Sequence, residues 1–122
     1  MRLMLAAPLV LCTACIGDET LSGYAGAGSV WGLEEADGLP TGLAASLSLP
    51  RKGRIAGAGP CGAFEGAQTA PYPWFAAEDL TSCPGGDDFT EMLAAMTLSE
   101  VQGDTLILSD PDGREMVFSR QE

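Results

Sequence analysis

The stretch from Gly53 to Gly66, GRIAGAGPCGAFEG, carries the pattern that decides the fold. The stretch contains five glycines and a proline, and Ile55 and Phe64 are its only large apolar residues, so it cannot be a helix. Glycines inside a strand pattern mark bulges, bends or places where another backbone passes close by. We therefore predict a strand that becomes irregular at Gly57 and Gly59, turns at Pro60 and resumes near Ala63.

Short extended segments lie on both sides of this stretch. Residues 30–35 and the alternating segment Ala45–Leu49 precede it, and a meander over residues 98–119 closes the pattern. Asp88, followed by Glu91 three residues later, resembles a capping box at the start of a helix. Residues 88–96 carry one apolar helical stripe, which predicts a single helix. The fold class is therefore mainly β, a β-rich α+β fold. We predict a small antiparallel barrel-like sheet of about seven to eight strands with one helix.

The N-terminal segment has the features of an export signal. Arg2 precedes an apolar run from Leu3 to Leu11, far shorter than the ~20 residues of a bilayer-spanning helix. The small residue before Cys15 resembles the end of a bacterial lipobox, although Cys12 stands where that motif usually has leucine. We predict a lipoprotein signal peptide over residues 1–14 and lipidation of Cys15. An ordinary cleaved signal and an uncleaved anchor are the alternatives.

Residues 15–29 have the composition of a linker. Acidic residues, hydroxyl residues and glycines separate isolated apolar side chains, which could not bury enough surface to order the segment. We predict a lipidated flexible tether over residues 15–29. It would hold one small domain, residues 30–122, off the membrane.

The acidic balance of the chain excludes several classes of partner. Six basic residues stand against seventeen acidic ones, for a formal net charge of −11. Nucleic acids and anionic lipid surfaces both require a basic face. The partners expected are a membrane, reached through the N-terminal lipid, and an envelope protein or a small ligand. The domain is expected to be a monomer.

Two cysteines, Cys61 and Cys83, remain beyond the predicted signal. Export places them in an oxidising compartment, which favours a disulfide that closes a loop of roughly twenty residues. A zinc site is less favoured because the chain has no histidine and too few thiols. A redox pair is less favoured because the Cys-x-x-Cys spacing is absent. We expect no metal and no cofactor.

Patterns typical of catalysis are scarce in the sequence. Without histidine there is no Ser-His or Cys-His pair, and paired carboxylates lie in turns. Asp79, beside Ala76, Ala77 and Leu80, is the acidic residue with the most apolar neighbours. We predict that the protein is not an enzyme.

One aromatic cluster is the candidate contact surface. Tyr72, Trp74 and Phe75 lie in a segment that flanking prolines hold extended. Aromatic side chains give a large contact area at a small entropic cost. The alternative is that these rings form the core and rim of the barrel, which is the commoner role of such clusters.

The order of these features resembles that of the META domain, also called HslJ-like, of bacterial envelope proteins. The features that carry the likeness are Trp31-x-Leu33, the strand Ala45–Leu49, Arg54-Ile-x-Gly57-x-Gly-x-Cys61 followed by an aromatic residue and Gly66, Leu80-Thr81-x-Cys83, the helix, and a closing Leu-x-Leu, Asp-x-Gly and Phe. This chain has Cys61-Gly62 where the family commonly has Cys-Asn, and Thr81-Ser82-Cys83 in place of Met-Ala-Cys. The resemblance implies a small barrel-like β fold with one helix, an envelope location and no particular reaction.

We therefore predict a non-enzymatic envelope lipoprotein that acts by binding or in tolerance of envelope stress. It would lie at the periplasmic face of a bacterial membrane, the outer rather than the inner one. The alternative is a small exported protease inhibitor with a β-barrel fold. An inhibitor of that kind would need an ordered N-terminal segment able to enter a protease cleft.

Overall fold

The computed structural model of the chain describes residues 17–121. The predicted signal peptide, residues 1–14, and the predicted lipid acceptor Cys15 lie outside the described residues. The described part contains two helices, α1 (Leu21–Ala25) and α2 (Asp88–Ala95), and eight strands. The strands are β1 (Ser29–Ala36), β2 (Ser46–Leu49), β3 (Gly53–Gly59), β4 (Gly62–Gln68), β5 (Glu78–Thr81), β6 (Leu98–Gln102), β7 (Thr105–Ser109) and β8 (Glu115–Gln121).

All eight strands form one antiparallel sheet in the order β5-β4-β3-β2-β1-β8-β7-β6. Consecutive strands pair with each other except β5 and β6, which form the two edges of the sheet, and β1 pairs with β8 in the middle. The sheet is curled into a half-barrel, so the predicted mainly β fold is confirmed. The helix α2 lies where it was predicted, and α1 is an addition that the sequence did not suggest.

The connection between β4 and β5 crosses to the opposite edge of the sheet. Trp74 forms an isolated antiparallel bridge with Leu98 at the start of β6. The N–H of Phe75 donates to the carbonyl of Thr97 at 2.8 Å, and the N–H of Ser99 donates to the carbonyl of Pro73 at 2.7 Å. Hydrogen bonds therefore cover part of the exposed edge of β6 and close the curl at one end.

The glycine-rich stretch forms the hairpin of β3 and β4, and the predicted turn at Pro60 is confirmed. Pairing continues to Gly59, so Gly57 does not end the regular part of the strand. A Cβ atom at Gly57 would lie 2.1 Å from the carbonyl oxygen of Ser46 and 2.8 Å from Cζ of Phe64. Glycine is required there because β2 and the Phe64 ring approach this backbone closely.

The core lies inside the curl and takes alternate residues from the strands. The indole of Trp31 is completely buried, and the guanidinium of Arg120 lies 4.5 Å from the centre of its ring. The buried apolar residues are Leu21, Ala25, Trp31, Leu47, Leu49, Ile55, Phe64, Phe75, Phe89, Met92, Leu93, Met96, Leu106, Leu108, Met116 and Phe118. Helix α2 contributes one face to this core, as its apolar stripe predicts.

Residues 17–29 are folded onto the sheet, so the prediction of a flexible tether is wrong for them. Leu21 and Ala25 are buried in the core. Thr20 forms a bridge with Pro71, and the N–H of Tyr72 donates to the carbonyl of Glu19 at 2.8 Å. Because two apolar residues at i and i+4 share one helical face, even this polar segment has a side to bury. The domain therefore begins before residue 30.

Among residues 17–121, neither helix is long and apolar enough to cross a bilayer.

Candidate contact surface

Residues 71–74 form a tight turn, closed by a 2.8 Å hydrogen bond from the N–H of Trp74 to the carbonyl of Pro71, so the prediction that the flanking prolines hold this segment extended is wrong. This turn and the bridge that follows it separate the predicted contact residues. Trp74 is 58% exposed, whereas Phe75 is 2% exposed and belongs to the core. The prediction of Phe75 as a contact residue is therefore wrong. Successive side chains of an extended segment point to opposite sides, and pairing with residues 97–99 turns Phe75 inward and Trp74 outward.

Tyr72 is half-buried, and both its backbone N–H and its hydroxyl group form hydrogen bonds. Its N–H donates to Glu19, and its hydroxyl oxygen accepts a hydrogen bond of 3.0 Å from the N–H of Val101. The ring of Tyr24, on α1, stacks on the ring of Tyr72 with centroids 4.3 Å apart and planes 18° apart. Tyr24 itself is 57% exposed. The stack therefore presents one aromatic ring to solvent on a second ring that the sheet fixes.

Leu98 connects the tyrosine stack to Trp74. It is 39% exposed and lies opposite Trp74 in the bridge, a position from which side chains project on the same side. Leu98 and Tyr72 also line one shallow groove of about 320 Å³. We call Tyr24, Tyr72, Trp74 and Leu98 the aromatic face.

The groove beside the aromatic face is bordered by two exposed carboxylates. Glu100 and Glu115 contribute to its lining, and Ile107 gives it an apolar floor between β6 and β8. The arrangement offers large, rigid apolar contacts next to negative charge. Such a surface suits contact with an amphipathic partner better than chemistry on a bound molecule.

Tyr24 is the member of the aromatic face that sequence reasoning missed. It lies in the segment assigned to a tether, and its stacking partner Tyr72 is far away in the sequence. The available signal was the pair Leu21 and Ala25 at helical spacing around it. A single apolar pair in a polar segment is too weak to predict a helix without knowledge of its tertiary partners.

The predicted disulfide between Cys61 and Cys83 is confirmed, with Cα atoms 6.0 Å apart. It joins the turn between β3 and β4 to the loop before α2. One carboxylate oxygen of Asp87, the N-cap of α2, lies 3.0 Å from Sγ of Cys61. These three residues hold metal-ligand atoms within 4.8 Å of one another. The two sulfurs are bonded to each other, however, so neither is a thiolate able to bind metal.

The carboxylates of Asp79 and Asp110 lie in different surroundings. Asp79 is exposed on the edge strand β5, so its apolar neighbours in sequence do not enclose it. Asp110 is buried in the turn before β8, where burial raises its pKa. Hydrogen bonds from the side chain and backbone of Arg114 outweigh that effect, and the pKa of Asp110 lies below its ordinary value.

Comparison with known proteins finds a family model and a solved structure that are similar to this chain. A family model described as META domain matches residues 25–122. No curated protein matches the chain. Among solved structures, an NMR structure of a protein from Burkholderia xenovorans is similar, with a TM-score of 0.57 and 16% sequence identity. The alignment covers 85% of this chain and 90% of that one. At so low an identity, the likeness concerns the fold.

Proposed function

The chain belongs to the META domain family, and from that premise we propose that it is a non-enzymatic lipoprotein of the bacterial envelope that acts by contact. Lipid on Cys15 would hold the domain at the periplasmic face of a membrane, the outer rather than the inner one. The aromatic face would bind an envelope component, and through that contact the protein would support tolerance of envelope stress.

The observation that carries this proposal is the exposure of Trp74. A tryptophan that is 58% exposed loses apolar burial that a core position would give it. Its backbone is nevertheless fixed, since its N–H donates to the carbonyl of Pro71 at 2.8 Å and its neighbours pair with β6. A large aromatic side chain on a rigid support is typical of a contact residue.

Side-chain chemistry favours contact over catalysis. The chain has no histidine, and Cys61 and Cys83 are joined to each other. Groups whose pKa can be placed near neutrality are therefore few. The inhibitor alternative is not favoured, because the part of the N-terminal segment from Thr20 to Ala25 is packed against the domain and not free to enter a cleft.

A photocrosslinking experiment tests the contact role. Benzoylphenylalanine replaces Trp74 in the full chain, expressed in a bacterium that attaches lipid to proteins of this type. We expect a crosslink to a protein or a lipid of the envelope. The control is the same replacement at Val30, which is 40% exposed on β1, three strands from β6. If both positions crosslink alike, or position 74 gives no product, the aromatic face is not a specific contact surface.

The lipid anchor is tested separately by Cys15→Ser. We expect this variant to leave the membrane fraction or to stop before maturation, because the acyl chains that hold it would be missing. Mass spectrometry of the wild-type N-terminus should find the acyl groups on Cys15. A Cys15→Ser protein that fractionates with membranes like the wild type would place the anchor elsewhere.

A further inference from the structure

We propose that the aromatic face rests on the lipid–water interface of the same membrane that holds the anchor. This inference rests on the contact role and on the lipidation of Cys15 proposed above, and it names the occupant of the surface as a zwitterionic lipid headgroup layer. Three observations carry it: the short distance to the anchor, the kind of side chains exposed, and the sign of the nearby charge.

The first observation is how little chain separates the anchor from the aromatic face. Asp18 follows Cys15 by three residues, which span at most about 11 Å when fully extended. From Asp18 onward the chain is fixed. The carboxylate of Asp18 accepts a 2.8 Å hydrogen bond from the N–H of Thr20, and the carbonyl of Glu19 accepts one from Tyr72. A lipid on Cys15 would therefore be attached within about 11 Å of Asp18, whose neighbour Glu19 contacts Tyr72, and it would keep the domain close to the bilayer.

The second observation is the composition of the surface around Tyr72, the residue that contacts Glu19. Tyr24, Trp74 and Leu98 are among the most exposed large hydrophobic residues of residues 17–121, at 57%, 58% and 39%. Tyrosine and tryptophan are enriched where a membrane meets water, because each has an apolar body and one polar group. If a surface of this kind faced bulk water, nothing would offset the free-energy cost of exposing its aromatic rings.

The third observation concerns charge. Glu19 and Glu100 are exposed next to the aromatic face, the cation Lys52 lies close enough to Asp18 to act on its carboxylate, and the whole chain carries a formal net charge of −11. Anionic lipids would repel such a surface. Zwitterionic headgroups instead present ammonium groups, which can approach exposed carboxylates while the rings enter the interface. The favoured membrane surface is therefore rich in zwitterionic lipid.

The protein contains its own reporter for this contact. Its two tryptophans differ completely in environment, since Trp31 is 0% exposed and Trp74 is 58% exposed. The lipidated full chain is reconstituted into phosphatidylcholine vesicles with brominated acyl chains, which quench nearby indoles. We expect loss of the Trp74 share of the emission relative to vesicles without bromine, and protection of that share from acrylamide in water. The Trp74→Phe variant, which retains Trp31, should show neither effect.

The result that would overturn the proposal is equal emission from the wild type in brominated and plain vesicles, with Trp74 open to acrylamide. If a protein is also crosslinked at position 74, the contact role is supported and the lipid contact is refuted. The aromatic face would then bind a protein partner. Exchange of part of the phosphatidylcholine for phosphatidylglycerol should weaken the quenching. Stronger quenching on the anionic vesicles would contradict the choice of a zwitterionic surface.

Discussion

At the scale of single residues, Asp110 shows how a turn acquires a buried charge. The sequence Asp-Pro-Asp-Gly at 110–113 predicts the turn, because proline and glycine suit its backbone angles. One carboxylate oxygen of Asp110 accepts from the N–H groups of Asp112 and Arg114, and the other accepts from Nε of Arg114 at 2.7 Å. The sequence could not show that this side chain is buried, since nothing local says which turn faces the molecule.

We expect Asp110→Asn to lower the urea midpoint at pH 7. The NH2 group of asparagine is a donor, and it would face an N–H group from which the carboxylate now accepts, so a hydrogen bond would be lost. The folded pKa of Asp110 lies below its ordinary value of 3.8. Its charge therefore stabilises the fold above that pH and loses this effect as the pH falls through the lower folded value. The difference between wild type and variant should shrink from pH 7 to pH 3.

Asp112→Asn is the matched control, since Asp112 is exposed in the same turn. It removes the same charge and should leave the midpoint nearly unchanged. The explanation fails if Asp110→Asn shows the same deficit at pH 3 as at pH 7.

At the scale of elements, the two helices mark what the sequence can and cannot predict. Helix α2 was predictable because its apolar stripe and acidic start are both local. The N-cap is Asp87, one residue before the predicted capping residue, and its side chain accepts from the N–H of Thr90 at 2.7 Å. Helix α1 has five residues, too few for a stable isolated helix, and depends on partners near residue 71.

We expect Gly23→Ala to destabilise the protein, although alanine normally favours a helix. A Cβ atom at Gly23 would lie 2.1 Å from the backbone carbonyl oxygen of Asp18, which cannot move without releasing α1. Hydrogen exchange of residues 19–25 should accelerate, and the thermal midpoint should fall.

Gly32→Ala on β1 provides the comparison for this variant. A Cβ atom there would meet the amide group of Gln121 at 2.7 Å, and that flexible side chain can turn away. The thermal midpoint should change little. A Gly23→Ala protein as stable as Gly32→Ala would show that α1 adjusts without loss.

At the scale of the whole molecule, the sequence predicted the class of fold but not the order of its strands. The number of short extended segments and the turns between them indicated a curled antiparallel sheet. The pairing of β1 with β8 joins residues from the two ends of the domain, such as Val30 and Gln121. Contacts at that separation leave no local signal in a single sequence.

The disulfide is the covalent link across this molecule. It closes a loop with a sequence separation of 22 residues between the β3–β4 turn and the loop before α2. We expect Cys61→Ser with Cys83→Ser to lower the free energy of unfolding by about 3 kcal/mol, because the unfolded chain regains loop entropy. Urea denaturation measures the change. Reduced wild-type protein should show a similar loss, and an unchanged midpoint in both would contradict the estimate.

The central position of β8 has a consequence for the time at which the protein can fold. A chain emerging from a ribosome or an export channel presents its N-terminal end first, so β8 follows the other seven strands. Until it arrives, no strand lies between β1 and β7, and the two parts of the sheet can meet through the hydrogen bonds of residues 73–75 with residues 97–99. Non-local pairing of this kind also forms slowly. The whole sheet can therefore close only after the C-terminal strand has been synthesised, and if the protein is exported as proposed above, β8 would enter the sheet after transport.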